Sequence, residues 1–172
     1  GKHQCGKNTQ GEKLGFKTII SPSQEKVQTH YNHLAKEIDA HKSAPQAGLI
    51  KRLNPIIRGW ANYFATVVSK EIYARLDDLV YRKLVSWAKY RHFKKSKTWV
   101  SKKYWHSIDG DNWVFAATKE GSNPLRLIDH SRIKIVRHVK VKGAASPFDG
   151  NLVYWSTRTG NNPEMPKRVS SL

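Results

Sequence analysis

Between residues 27 and 87 apolar side chains recur three times at the spacing of an α-helix, and nothing else in the chain constrains its fold as strongly. Val27, Tyr31, Leu34, Ile38 and His41 follow at intervals of four, three, four and three, which lays them along one helical face. Ser21-Pro22-Ser23 supplies a start signal in which either serine can cap. Glu25 in the first turn and Lys42 near the end suit the helix dipole, and the helix is expected over about 23–41. Residues 46–53 read as a short helical stretch with Leu49, Ile50 and Leu53 apolar. Asn54-Pro55 then reads as a second start, with Asn capping and Pro at the first helical position. Ile56, Ile57, Trp60, Tyr63, Phe64 and Val67 form the apolar face of that helix. Gly59 within it costs about 1 kcal/mol against alanine, which predicts a close backbone approach there. Ser69 opens a third helix with Glu71 in its first turn, and Ile72, Leu76, Leu79, Val80, Leu84 and Trp87 carry it to Tyr90 or His92. Three amphipathic helices with short connections predict a small antiparallel bundle.

After residue 94 the pattern changes. Residues 94–97 form a basic linker, 98–104 fit a short helix, and Asp109-Gly110-Asp111 is a turn. Residues 113–118 are strand-like, 121–124 a turn, and 125–128 a strand that could pair back. Residues 132–142 alternate with a phase slip near 136–138, as a half-buried strand with a bulge would. Residues 146–150 read as a turn, 152–155 as a short apolar segment of either type, and the sequence from Arg158 onward as a loose tail or one that continues into a further segment. At the other end, residues 1–15 are rich in Gly and Lys and read as a hairpin or loop, followed by a β-prone run at 16–20. The expected fold class is mainly α with a small β part: a three-helix antiparallel bundle followed by a small mixed α/β basic region. The opening has neither an initiator Met nor a capping signal and reads as the end of something longer.

Charge narrows the partner. The 172 residues hold 31 Lys+Arg against 13 Asp+Glu, a formal net charge of +18. A field of that size repels itself unless a polyanion neutralises it, so nucleic acid is the first expectation and an anionic membrane surface the second. No apolar run approaches the ~18 residues of a membrane span, and there is no signal-peptide core, so the chain is expected to be cytoplasmic or organellar/nucleoid-associated and not secreted. One cysteine excludes an intrachain disulfide and a cysteine-rich zinc site. The positive charge is concentrated. Residues 81–103 carry Arg82, Lys83, Lys89, Arg91, Lys94, Lys95, Lys97, Lys102 and Lys103 with no acid among them. Residues 132–142 carry Arg132, Lys134, Arg137, Lys140 and Lys142, again without an acid. Trp87, Tyr90, Phe93, Trp99, Tyr104 and Trp105 are interleaved with the first run, which fits base stacking combined with phosphate contact.

Other constellations read as structural. His30 and His33 stand three apart, but no acid or cysteine at matching spacing completes a zinc site, and no metal ligands are assigned. Gly1 to Lys7 carries GxxxxGK, yet Asn8 replaces the Ser/Thr of a phosphate loop and no strand precedes it. Cys5 has basic neighbours but no base motif. Asp77-Asp78 sits mid-helix and reads as a solvated face or as ion pairs with Arg75 or Arg82. Ile57, Trp60 and Trp87 are expected in the core, with Arg58 off the apolar stripe.

The segment LNPIIRGWANYFA at 53–65, followed by VVSKEIYARLDDLVYRKLVSWAKYRHFKKSKTWVSKKYW, closely resembles the maturase segment, or thumb, of group II intron-encoded reverse transcriptases. GEKLGFKTIISPSQEKVQTH at 11–30 looks like the end of that family's palm entering the first thumb helix, and SPFDGNLVYW at 146–155 like part of its C-terminal DNA-binding region. The resemblance implies a palm remnant over 1–20, a maturase thumb over 21–95 and a basic DNA-binding-like region over 96–172. It implies that group II intron RNA is bound so that the folded ribozyme splices, with target DNA as second partner during retrohoming, and no membrane. Arg58, Lys89, Arg91, His92, Lys94, Lys95 and Lys97 are the expected RNA contacts. Lys102, Lys103, Arg132, Lys134, Arg137, Lys140 and Lys142 are assigned to DNA or RNA without distinction. The family's polymerase aspartates lie in a Tyr-x-Asp-Asp motif that this sequence lacks, as it lacks the cysteine pairs of the HNH nuclease in many relatives. No catalytic residue and no cofactor are therefore assigned to this chain. The divalent metal, magnesium, would belong to the polymerase domain of a parent enzyme. The alternatives are an inactive remnant or a generic basic RNA- or DNA-binding module.

Overall fold

The computed structural model describes residues 2–7, 10–119, 122–136, 145–146 and 148–159. Two antiparallel strands, β1 (Lys2–Lys7) and β2 (Lys13–Ile19), form a hairpin with a register shift between Gln4 and Gly6. The helices α1 (Gln24–Ala40), α2 (Gln46–Tyr63), α3 (Lys70–Arg91) and α4 (Lys97–Tyr104) follow. Then β3 (Trp105–Ile108), β4 (Asp111–Lys119) and β5 (Ser122–Arg126) make an antiparallel sheet in sequence order, and a 3-10 turn spans His130–Arg132. The chain is mainly helical with a small β part, as its periodicity predicts.

Caps and apolar spacing set the helix limits. Ser23 Oγ accepts from Lys26 N–H at 3.3 Å and starts α1, and Ser96 Oγ does the same for Trp99 N–H at 3.2 Å in α4. Leu34 and Ile38 of α1, Leu49, Ile50, Leu53 and Ile57 of α2, and Val80, Leu84, Trp87 and Ala88 of α3 form one buried cluster. Each large aliphatic side chain so buried contributes about 1.5–3 kcal/mol. Val100 and Tyr104 of α4, Trp105 of β3, Phe115 of β4 and Leu127 belong to the same cluster, so residues on both sides of 95/96 build a single core. Trp87 reaches through it, and its Nε1 donates to His41 O at the end of α1 at 2.9 Å.

Three expectations need correction. Residues 46–63 are one continuous helix, with Pro55 inside it rather than at a second start. Asn54 does not cap. Its Nδ2 donates to Arg126 O at 3.0 Å and its Oδ1 accepts from Ile128 N–H at 2.9 Å, so it clamps the end of β5. These tertiary bonds and the α2 core residues outweigh the backbone bond that Pro55 removes. Gly59 meets no close backbone of another element: among the described residues beyond its own helix turn, nothing lies within 4 Å of where its Cβ would stand. The expected strand over 132–142 is not found in its described part, since Arg132 lies in the 3-10 turn and Val136 N–H donates to Ala65 O at 2.9 Å instead of to a strand. Residues 137–142 lie outside the described residues.

A buried polar node explains that turn. Asp77 Oδ1 accepts from His130 N–H at 2.8 Å and faces His130 Nδ1 at 2.7 Å, while Asp77 Oδ2 accepts from Ser131 N–H at 2.9 Å. Burial alone would raise the Asp77 carboxyl, but the bonds from His130 and Ser131 outweigh it and hold the group below its ordinary value. A carboxylate only accepts, so His130 carries its proton on Nδ1 and, when neutral, accepts at Nε2. His30 Nε2 stands 2.8 Å away and is the donor. The His30 ring stacks on Trp60 with centroids 4.5 Å apart. Burial, then the charges of His130 and His33, push the His30 pKa down to about 3.

Residues 138–172 form a separate unit. Its described part is a turn closed by Asp149, whose side chain accepts from Ser146 and Asn151 N–H groups, followed by α5 (Leu152–Thr159) with Asn151 Oδ1 accepting from Tyr154 N–H at 3.1 Å. The apolar segment at 152–155 is therefore helical.

Candidate nucleic-acid interface

The acid-free run over 81–103 folds into the last turns of α3, a short connection and α4. Ser96 starts α4 immediately after the connection, so lysines from both sides are gathered round one small helix. Lys89, Lys94, Lys95, Lys97, Lys102 and Lys103 are all exposed. Lys95 Nζ and Lys103 Nζ lie 5.4 Å and 5.0 Å from the ring centre of Trp99, and Lys94 Nζ lies 5.5 Å from that of Phe93. Such exposed cation–π contacts are worth about 0.5–1 kcal/mol each, too little to stop the ammonium groups turning to a phosphate. Phe93 and Tyr90 are themselves open to solvent, at 80% and 67% of their full exposure. Lys97 and Lys102 line a cleft of about 440 Å³ with Trp113, and Lys89 and Lys97 a smaller hollow of about 190 Å³ with Tyr81 and Trp105.

Not every expected contact is free. Arg91 Nη1 donates to Lys42 O at 2.7 Å and Ala44 O at 2.8 Å, and its guanidinium lies 4.7 Å from the Trp87 ring centre. It closes the α1–α2 connection over α3. His92 Nε2 is 2.8 Å from Tyr104 Oη, and burial, then the charges of Lys103, Arg91 and Lys95, lower its pKa, so it stands neutral near pH 7. Arg132 pairs with Asp111 and with Asp129, and Asp111 also binds Arg126 at 3.1 Å. Hydrogen bonds from Arg132, then Arg126, hold the Asp111 carboxyl below its ordinary value. Arg58 on α2 and Lys134 beyond the 3-10 turn are exposed and line neither of these two hollows. Arg137, Lys140 and Lys142 lie outside the described residues.

The aspartates at 77 and 78 face different partners. Asp77 belongs to the buried node, and Asp78 pairs with Arg82 at 2.9 Å. The ion pair with Arg82 matches one of the two readings of this pair; the role of Asp77 is new. Trp113 is the residue of the basic cleft that sequence reasoning passed over as part of a strand. The turn residues just before it, Asp109-Gly110, were the available signal.

Residues 27–105 match the family model of the group II intron, maturase-specific domain. The match runs from the first turn of α1 to the first residue of β3 and so includes the whole α3–α4 lysine rim. No curated protein matches the chain.

Proposed function

Because residues 27–105 match the model of the group II intron, maturase-specific domain, we propose that this chain binds structured group II intron RNA and promotes its splicing. The observation that carries the reading is the rim of exposed lysines round α4, paired with no carboxylate among the described residues and interleaved with exposed aromatic rings, on a helical core. Lys89, Lys94, Lys95, Lys97, Lys102 and Lys103 meet phosphates and set the register of the RNA. Phe93, Tyr90 and Trp99 offer flat faces for unpaired bases. Arg58 and Lys134 extend the positive surface. Within a reverse transcriptase the same module would also hold nucleic acid during retrohoming, where the basic region after residue 95 meets target DNA.

The test is a filter-binding titration of the full chain against a group II intron RNA over a range of salt. If five to eight phosphates are neutralised, log K falls against log[salt] with a slope of roughly −4 to −7. Splicing of the precursor at limiting magnesium should accelerate when the chain is added. Absence of salt dependence contradicts the reading. Equal affinity for transfer RNA with no effect on splicing would make the chain a generic basic module.

A further inference from the structure

We propose that the cleft between α4 and the β3–β4 hairpin is a stacking site for an unpaired nucleotide, with Trp113 as platform and Lys97 and Lys102 on the flanking phosphates. The proposal rests on the nucleic-acid reading above and adds a ligand class and a site to it. Its starting point is a backbone outlier. Trp113 has φ 63°, in the left-handed region that bulky L-residues rarely occupy. The β3–β4 turn just before it uses Asp109 at φ 53° and Gly110 at φ 80°, as a two-residue hairpin turn requires, and Trp113 follows it at a bulge, where the pairing with β3 shifts register between His106 and Ile108. Strained positions of this kind persist where the surroundings hold them, and they cluster at ligand sites.

Packing does not account for the side chain. The indole is 63% exposed, so it gains little burial in return for the strain. Glycine would suit this backbone better. What the indole does gain is a place in a basic cleft of about 440 Å³, within the size range of small-ligand sites. Lys97 and Lys102 reach the cleft from α4, and neither is paired with a carboxylate among the described residues. Ser101, Ser107 and Asn112 add hydroxyl and amide groups that can meet a base edge, and Ser107 Oγ holds Asn112 Oδ1 at 2.8 Å. A flat aromatic face, two cations and polar groups are the parts that hold a nucleotide whose base is free of a partner. A base inside a duplex cannot offer its face, so the site selects single-stranded segments.

The experiment measures binding of the full chain to a labelled 12-nucleotide RNA without self-pairing, to the DNA 12-mer of the same sequence, and to a fully paired RNA hairpin. Trp113→Gly should weaken the 12-mers by roughly 10- to 100-fold, the range expected for loss of one stacked base. It should leave hairpin binding unchanged and keep or raise the melting temperature, because glycine relieves the strained backbone. Trp113→Phe should recover most of the loss. Lys97→Ala with Lys102→Ala should flatten the single-strand salt slope by about 1.4, at about 0.7 per phosphate. The RNA and DNA arms show which strand the cleft prefers, and a loss in either supports the site. Unchanged 12-mer binding by Trp113→Gly, or equal loss of 12-mer and hairpin, overturns the stacking site and leaves the wider reading standing. A wild-type chain that binds none of the three overturns both.

Discussion

Two regions of this molecule use the same residue types to opposite ends. The node of His30, Trp60, Asp77 and His130 and the rim of Lys95, Trp99, Lys103 and their neighbours both combine aromatic rings with ionisable groups. In the node each polar atom named has a partner: His30 faces His130, His130 faces Asp77, and Asp77 takes two backbone N–H groups. In the rim the cations lie over rings, and among the described residues no carboxylate pairs with them. The difference is one of satisfaction rather than composition. A buried polar group without a partner is costly, so the node is closed and structural, whereas an exposed lysine costs little unpaired and stays available to a phosphate. The same criterion sorts the arginines. Arg91 and Arg132 are held by carbonyls and carboxylates within the fold, while the lysines beside Arg91 have no such partner among the described residues.

The largest expected effect breaks the node. Asp77→Ala leaves the His130 and Ser131 N–H groups and the His130 ring unpartnered, which should cost about 3–5 kcal/mol. For a chain of this size that lowers the melting temperature by on the order of 10 °C. Thermal unfolding checks it, and the salt slope of RNA binding, taken below the new transition, should not change. A change of slope would mean that the node also serves the interface.

Next comes the clamp that joins helix to sheet. Asn54→Ala removes the bonds to Arg126 O and Ile128 N–H and should cost about 1–3 kcal/mol by denaturant unfolding. Hydrogen exchange should rise first at β5 and at residues 127–129. Uniform loosening of the whole chain instead would contradict a local role.

The node also predicts a pH dependence. The folded protein holds His30 neutral down to about pH 3, whereas the unfolded chain protonates it near its ordinary value of 6.5. Between those values the unfolded state binds the extra proton, so stability falls as pH drops, at up to about 1.4 kcal/mol per pH unit. Asp77, whose pKa is lowered on folding, adds a further loss only below its unfolded value of 3.8. Melting temperatures between pH 7 and pH 4 should show the slope, and His30→Gln should flatten it. An equal slope in that variant would place the titrating group elsewhere.

Much of this was legible in the sequence because it rests on local rules. The limits of α1 follow from Ser23 and the apolar spacing, and the β3–β4 turn from Asp109-Gly110; α3 begins after Ser69 as expected, but that hydroxyl donates to Phe64 O at 2.9 Å and caps no helix N–H. Asn54-Pro55 misled for a physical reason. Its two residues are a good helix start in isolation, but tertiary bonds to residues 126 and 128 and the burial of Leu53 and Ile57 carry α2 straight through. The described start of the strand expected over 132–142 failed similarly, because the turn there is held by Asp77, more than fifty positions earlier. Charge runs located the rim but could not separate Arg91 from Lys94, since partnership depends on carbonyls of the α1–α2 connection. Trp113 was hidden because a positive φ is a property of the folded turn and not of a tryptophan.

The smallest effect on stability carries the largest consequence for function. Replacing Lys94, Lys95 and Lys97 together by alanine should leave the melting temperature unchanged, as expected of exposed side chains outside the core. The salt dependence of intron-RNA binding by this variant, set beside that of the wild-type chain, tests the proposed RNA surface most directly. The slope should flatten by about 2 to 3 if each lysine neutralises one phosphate. An unchanged slope would contradict the assignment of the rim round α4 as the RNA-binding surface.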